Sequence, residues 1–483
     1  MSKSKKGKLL SLLGILVLVC AAAFAVSRWE EKKEAIKNSD EIILSIDPSS
    51  VTALSWEYGD TALAFHRDGD WLWDEDEAFP VDGQKIADLL AVFEEFGVSF
   101  RIEEVEDYGQ YGLLDPEATI RLTAAETEYE IVLGNFSTLD SERYVSVGDG
   151  NVYLVKHDPL EDYELTIREL ILDDEIPELS GAVEIAFDGT EAYTVTYEEE
   201  STKSCCAEDV YFAEDRPLDT DRVDSYLTTI QNLSGGTYVS YNASEEELTA
   251  FGLDTPELTV TVICPVSSDE EDEEDGEEEP ETQSFVLSVG RNREELAEAA
   301  ESDEEDAEDS VSAYFRIGES RIVYELPNSA YKKLTACAYD DLRHTDLVTA
   351  DFDEIEAISF TLEGVEYRMT AREPAEEDAE DSGETRVWDC GSAEEITISG
   401  IQSAITALSA SAFTEETPTQ KEEIRFTLYL SSESFPELEI TLYRYDGESC
   451  LAQVNGESTA FVPRSQVVDL IEAVNALVLG GQS

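Results

Sequence analysis

Positive charge is what this sequence has least of. Lys and Arg total 32 against 111 Asp and Glu, for a formal net charge of −79. Such a surface repels a phosphate backbone, so nucleic-acid binding is excluded as a function class. Anionic lipid binding is excluded for the same reason, apart from the basic arm that ends at Lys8. Histidine is nearly absent: His66, His157 and His344 fall in separate regions. A histidine-based zinc site needs clustered ligands with a local spacing, and none is visible. Of seven cysteines, Cys20 lies in an apolar run. The other six (Cys205, Cys206, Cys264, Cys337, Cys390, Cys450) are too sparse for a disulfide scaffold. One bridge from Cys205 or Cys206 to Cys264 would fit inside a single module; isolated thiols are the default expectation. The motifs H-E-x-x-H, G-x-S-x-G, G-x-G-x-x-G, C-x-x-C and the P-loop are all missing. No catalytic, cofactor-binding or metal-binding residue is therefore assigned, and no cofactor is expected.

Long hydrophobic runs are also scarce, with one exception. Leu9–Val26 is uncharged and mostly Leu, Val, Ile and Ala. As a helix at about 1.5 Å per residue it would reach roughly 27 Å, enough for a bilayer core. Lysines precede it and acid-rich sequence follows. That polarity predicts a single-pass anchor in the cell membrane, the N-terminus cytoplasmic and the bulk of the chain extracytoplasmic. Its lipid partner is reached through Leu9–Val26. Two alternatives stay open: a cleaved signal peptide, because Ala23-Phe24-Ala25 resembles a cleavage site, and a lipoprotein through Cys20.

What the chain does have is a pattern repeated three times. Its 483 residues are enough for about three domains, and 42% hydrophobic residues with 21 Tyr and 18 Phe are enough for packed cores. Near residue 42 a hairpin is predicted around Tyr58-Gly59-Asp60. The turn Asp68-Gly69-Asp70 then leads into Trp71-Leu72-Trp73. A helix follows with Ile86, Leu89, Leu90 and Phe93 along one stripe. Next come Tyr111-Gly112-Leu113-Leu114-Asp115-Pro116-Glu117 and four alternating strands, one of them closed by Gly134. The second copy places a hairpin around Asp188-Gly189-Thr190. Its helix carries Val223, Tyr226, Leu227, Ile230 and Leu233 on one side. Phe251-Gly252-Leu253-Asp254-Thr255-Pro256-Glu257 then repeats the register of aromatic, Gly, Leu, two residues, Pro, Glu, and Gly290 closes a strand as Gly134 does. The third copy is degenerate. It keeps the strands and a helix with Ile401, Ile405 and Leu408, but only Thr417-Pro418 remains of the signature. A final helix, 464–479, is predicted to pack on a sheet. Three acidic stretches, 267–281, 294–310 and 374–385, read as mobile loop insertions at turns.

The anchor, the "DGDWLW" hairpin, "YGLLDPE", "VLG" and "RYVSVGDGNVYLV" resemble the DUF4340 family of bacterial envelope proteins. The motifs are turn glycines and core aromatics, so they speak to shape and bring no catalytic residues with them. By gene association, the resemblance implies an auxiliary role beside gliding-motility-type ABC transporters. It therefore implies an ABC transporter or other envelope proteins as partners.

Two clusters invite chemistry. Asp68, Asp70, Asp74 and Asp76 surround Trp71 and Trp73, as in a sugar subsite. The plainer reading is a hairpin with Trp71 packed inward. The Gly-Leu-x-x-Pro-Glu segments read first as structure: Gly for positive φ, Leu in the core, Pro opening an edge strand. Calcium would need an ordered oxygen loop, which 269–281 and 303–309 lack; Asp149-Gly150 and Asp446-Gly447 are turn residues first.

The expected architecture is thus α+β: three tandem related modules, each an antiparallel sheet with one amphipathic helix, behind one N-terminal transmembrane helix. The expected boundaries are 1–8 for a basic arm, 9–26 for the anchor and 27–41 for a linker. Modules follow at 42–178, 179–345 and 346–483. The expected function is a non-enzymatic scaffold or accessory subunit of an envelope transport or assembly system. The alternative is a cell-wall glycan or peptide binder, with a carboxylate-dependent hydrolase behind both.

Overall fold

The computed structural model describes residues 41–103, 105–199, 201–266, 281–303, 306–373, 386–391 and 393–480. The anchor Leu9–Val26 and the acidic runs 267–280 and 374–385 lie outside the described residues. Among the described residues no helix is long and apolar enough to cross a membrane.

Among the described residues, alternating sequence produces three antiparallel sheets of nine strands each. In the second sheet the order is Arg216–Pro217, Tyr211–Ala213, Ala192–Tyr197, Glu184–Asp188, Leu258–Pro265, Thr282–Arg291, Ala313–Ile317, Val323–Leu326, Tyr238–Ser240. The hairpin stays paired, and its first member accepts the post-signature strand on its other edge. The strand that follows the helix closes the far edge. The third sheet has the same order, from Ala393–Ile396 through Ile355–Leu362 and Glu422–Leu430 at its centre to Ala412–Phe413. The first shares eight of these positions, from Asp70–Trp73 through Val51–Tyr58 and Ala118–Ala124 to Phe96–Ile102; among the described residues it has no counterpart of the outermost strand Arg216–Pro217, and Glu41–Leu44 is its ninth strand, beyond the far edge. The fold is α+β, and the copy whose motifs are most degraded keeps the full topology. Prolines 116 and 256 introduce central strands, not the edge strands expected. Each sits before pairing begins, so no ladder donor is missing; Glu117 N–H and Glu257 N–H make the first bonds, to the carbonyls of Leu133 and Val289.

Each module has an amphipathic helix after its opening strands. Helix α1 (Gly83–Ala91) buries Ile86, Leu89 and Leu90, and Asp82 caps it by accepting from the amides of Gln84 and Lys85. Helix α2 (Thr220–Gln231) buries Val223, Tyr226, Leu227 and Ile230 behind the cap Asp219. Helix α3 (Ser399–Thr406) buries Ile401, Ala404 and Ile405, and has no side-chain cap. The last helix, α4 (Arg464–Gly480), places Val467, Leu470 and Val474 in the core of the third sheet, as its stripe implied.

The chain divides into two compact units after Asp173; the second and third sheets share one of them. One acidic stretch differs from expectation. Within 294–310 the chain forms a helix, Arg293–Glu301, and a single turn, Ala307–Ser310. Asn292 caps that helix, Glu294 and Glu295 lie at its positive end, and Glu295 accepts from Ser312 N–H. Charge that repels in an open loop is stabilising at a helix start. The helix Glu245–Ala250 was equally hidden, though Ser244 and Glu247 form a capping box there.

Candidate functional site

The signature segments are built into the sheet. Gly112 and Gly252 have φ of 76° and 74°, where a side chain is strained. A Cβ on Gly112 would meet the Asn135 amide nitrogen at 2.7 Å, and one on Gly252 would meet the Arg291 carbonyl at 2.5 Å. The strand-closing glycines are the other half of each crossing. A Cβ on Gly134 would strike the Tyr111 carbonyl, and one on Gly290 would lie 2.5 Å from the Gly252 carbonyl. The preceding aromatics also match: Tyr111 packs on Tyr144 at 5.0 Å and Phe251 on Tyr314 at 4.6 Å between ring centres. Each signature Glu meets an arginine. Glu117 accepts from Arg143 at 2.8 Å, and Glu257 from Arg291 at 3.0 Å. These residues hold backbone against backbone, which is the structural reading made from the sequence.

Around the tryptophans the carboxylates are engaged locally. Trp71 is buried, with Trp73 edge-on to Phe79. Asp74 Oδ1 lies 2.7 Å from His66 Nδ1, and Asp76 accepts from the Ala78 amide at 3.0 Å. Beside them is a cleft of about 800 Å³ bordered by Arg67, Asp70, Trp71, Glu77, Phe79 and Leu90.

The arrangement that sequence reasoning missed lies in the second unit. Cys206, Asp209 and His344 bring their ligating atoms within 4.8 Å of one another. The loop 201–209 joins two strands of the second sheet, and His344 follows the short helix Tyr339–Leu342. His344 Nε2 is 2.7 Å from Asp209 Oδ1, and its Nδ1 is 3.5 Å from Asp219 Oδ2. Asp209 is almost wholly buried, its side chain 1% exposed, and Ser204 Oγ donates to its Oδ2 at 2.6 Å. Burial pulls the His344 pKa down, but the hydrogen bond that His344 donates to Asp209 and the charges of Asp209 and Asp219 outweigh it, leaving a net rise. Burial pushes the Cys206 thiol up to about 11. Both imidazole nitrogens face carboxylates, so the histidine is not placed as a base for the thiol. A local signal existed only in Cys206-x-x-Asp209; His344 is 135 residues beyond Asp209. His66 and His157 each have an aspartate of their own, Asp74 and Asp162. The six cysteines in the described residues are free thiols, so the bridge from Cys205 or Cys206 to Cys264 is not formed.

The profile of a family described as "Domain of unknown function (DUF4340)" matches residues 71–200 and 211–427. The chain belongs to the DUF4340 family. The two matches open at Trp71 and Tyr211, which lie in the strand that follows the hairpin of the first and second modules. The DUF4340 match also runs into the third sheet as far as Phe426-Thr427, although the Gly-Leu-x-x-Pro signature is gone there. No curated protein and no solved structure matches the chain.

Proposed function

We propose that this DUF4340 protein is a non-enzymatic, membrane-anchored extracytoplasmic scaffold or accessory subunit, working with an ABC transporter of the envelope. The observation that carries the reading is the use to which the signature residues are put. Gly112, Gly134, Gly252 and Gly290 make backbone crossings, and Glu117 and Glu257 are held by arginines. A fold repeated in tandem suits protein contacts better than a single reaction centre. The first module also exposes apolar groups: Leu114 in the signature segment is 75% exposed, Leu139 in the turn after the strand Thr127–Ser137 is 86% exposed, and Phe136 is next in the chain to Asn135 of the crossing. Exposed apolar side chains suit a partner surface. Anchoring through Leu9–Val26 follows from the sequence, and with it the extracytoplasmic location.

The test is affinity purification of the full chain from detergent-solubilised membranes. Recovery of an ABC transporter, reduced by Leu114→Lys with Leu139→Lys, is the expected result. A chain that fractionates without membranes, or that purifies alone under mild detergent, overturns the reading. The second reading, a cell-wall glycan or peptide binder, is favoured by the cleft beside Trp71. Its test is cell-wall retention lost on Arg67→Ala or Glu77→Gln. Trp71→Ala is the wrong probe there, because it removes core.

A further inference from the structure

We propose that Cys206, Asp209 and His344 bind one zinc-class divalent cation, with Asp219 orienting the histidine. The cation would fasten the 201–209 loop to the connector that leads into the third sheet. The donor set is one sulfur, one oxygen and one nitrogen. That mixture suits zinc and its transition-metal neighbours; calcium and magnesium take oxygen donors. With bonds of about 2.0–2.3 Å, tetrahedral geometry separates neighbouring donors by roughly 3.5 Å. The present spacings bracket that distance: 2.7 Å between His344 Nε2 and Asp209 Oδ1, and at most 4.8 Å across the group. Movements of about 1 Å would complete the site, within reach of side-chain adjustment.

The surroundings also fit. A ligating imidazole usually donates its other N–H to a carboxylate, which fixes tautomer and ring orientation. Asp219 Oδ2 stands 3.5 Å from His344 Nδ1 in that role, itself held by Arg222 Nε at 3.3 Å. Ser204 occupies the second oxygen of Asp209 and leaves Oδ1 facing the histidine. A plain His344–Asp209 ion pair would need neither Cys206 nor Asp219. Three protein donors leave a fourth position for water. The thiol next door is otherwise committed: Cys205 Sγ lies 3.4 Å from Thr349 Oγ1 and packs on the core of the third sheet. The loop thus already touches the third module through one cysteine, and the cation would secure it through the other.

The experiment uses the full chain, stripped with a chelator and titrated with zinc ions alone in millimolar magnesium, which occupies diffuse acidic sites. Metal content after gel filtration and iodoacetamide labelling of Cys206 are read together. The expected result is one zinc per chain and a protected Cys206. Affinity should fall at least about tenfold in Cys206→Ser and His344→Gln. It should fall roughly 10–100-fold in Asp219→Asn and be unchanged in Cys390→Ser. Circular dichroism checks that each variant is folded. If His344→Gln is not, Cys206→Ser, at a half-exposed position, decides alone. Retention of zinc by folded Cys206→Ser, or no zinc retained by the wild-type chain over magnesium, overturns the proposal.

Discussion

The first and second modules make the same backbone crossing and support it with different charges. In the first, Arg143 reaches in from the strand Glu142–Ser146 and is 5% exposed. It bonds Asp158, Glu117 and the Gly134 carbonyl at 2.6–2.8 Å. In the second, Arg291 follows directly on the crossing glycine. Its side chain is 16% exposed, against Glu257 at 3.0 Å, Glu308 at 3.7 Å and the Tyr331 ring. The glycines and the flanking aromatics coincide while the arginine comes from a different strand. Backbone approach is the strict requirement, because nothing but hydrogen fits between two carbonyl-bearing segments. The charge at the Glu can be supplied from any nearby strand. The third module goes further and keeps the nine-strand order without the signature.

This contrast can be broken most severely at Arg143. Replacing it with Met leaves Asp158, with its side chain 10% exposed, without its cation. The expected cost is about 3–5 kcal/mol in denaturant unfolding of the first unit. Arg291→Met should cost only about 1–2 kcal/mol in the second. Equal losses would erase the distinction between a buried and a peripheral support.

The crossing itself comes next. Gly290→Ala puts a methyl 2.5 Å from the Gly252 carbonyl, and a loss of about 2–3 kcal/mol is expected. Gly456→Ala, at φ 86° in the third module but with open space around it, should cost about 1 kcal/mol. Hydrogen exchange of the flanking strands would read both.

Caps give a smaller difference. Asp82→Ala should destabilise helix α1 by about 1 kcal/mol, seen as a lower melting temperature. Helix α3 has Ile398 at its N-cap position, with no side-chain hydrogen bond to lose. It rests on packing by Ile401 and Ile405 instead.

The smallest effect lies in the first hairpin. The hydrogen bond that His66 donates to Asp74 raises the His66 pKa above its ordinary 6.5. The pair therefore stabilises the fold below the unfolded-state value, and that contribution is lost as pH rises through the folded one. An NMR titration of His66 should show the upward shift, and Asp74→Asn should remove most of it.

Much of this was legible in the residues. The apolar stripes of Ile86-Leu89-Leu90 and Val223-Leu227-Ile230 placed the helices, and turn glycines placed the hairpins. Trp71 was readable as core because it alternates with Leu72 after a tight turn. Less legible were Tyr238–Ser240 and Ala412–Phe413, edge strands too short for alternation to register. The helix Arg293–Glu301 was masked by its acidity, since composition weighs charge without asking whether a cap precedes it. The cluster at His344 was illegible on its histidine side.

By itself the sequence determined the repeated α+β module, because strand alternation, helical stripes and turn glycines are properties of neighbouring residues. The common strand order, the charge partners at each crossing and the meeting of Cys206 and Asp209 with His344 were decided only by tertiary structure. Those contacts join segments tens to more than a hundred residues apart, and chain separation leaves no spacing to read.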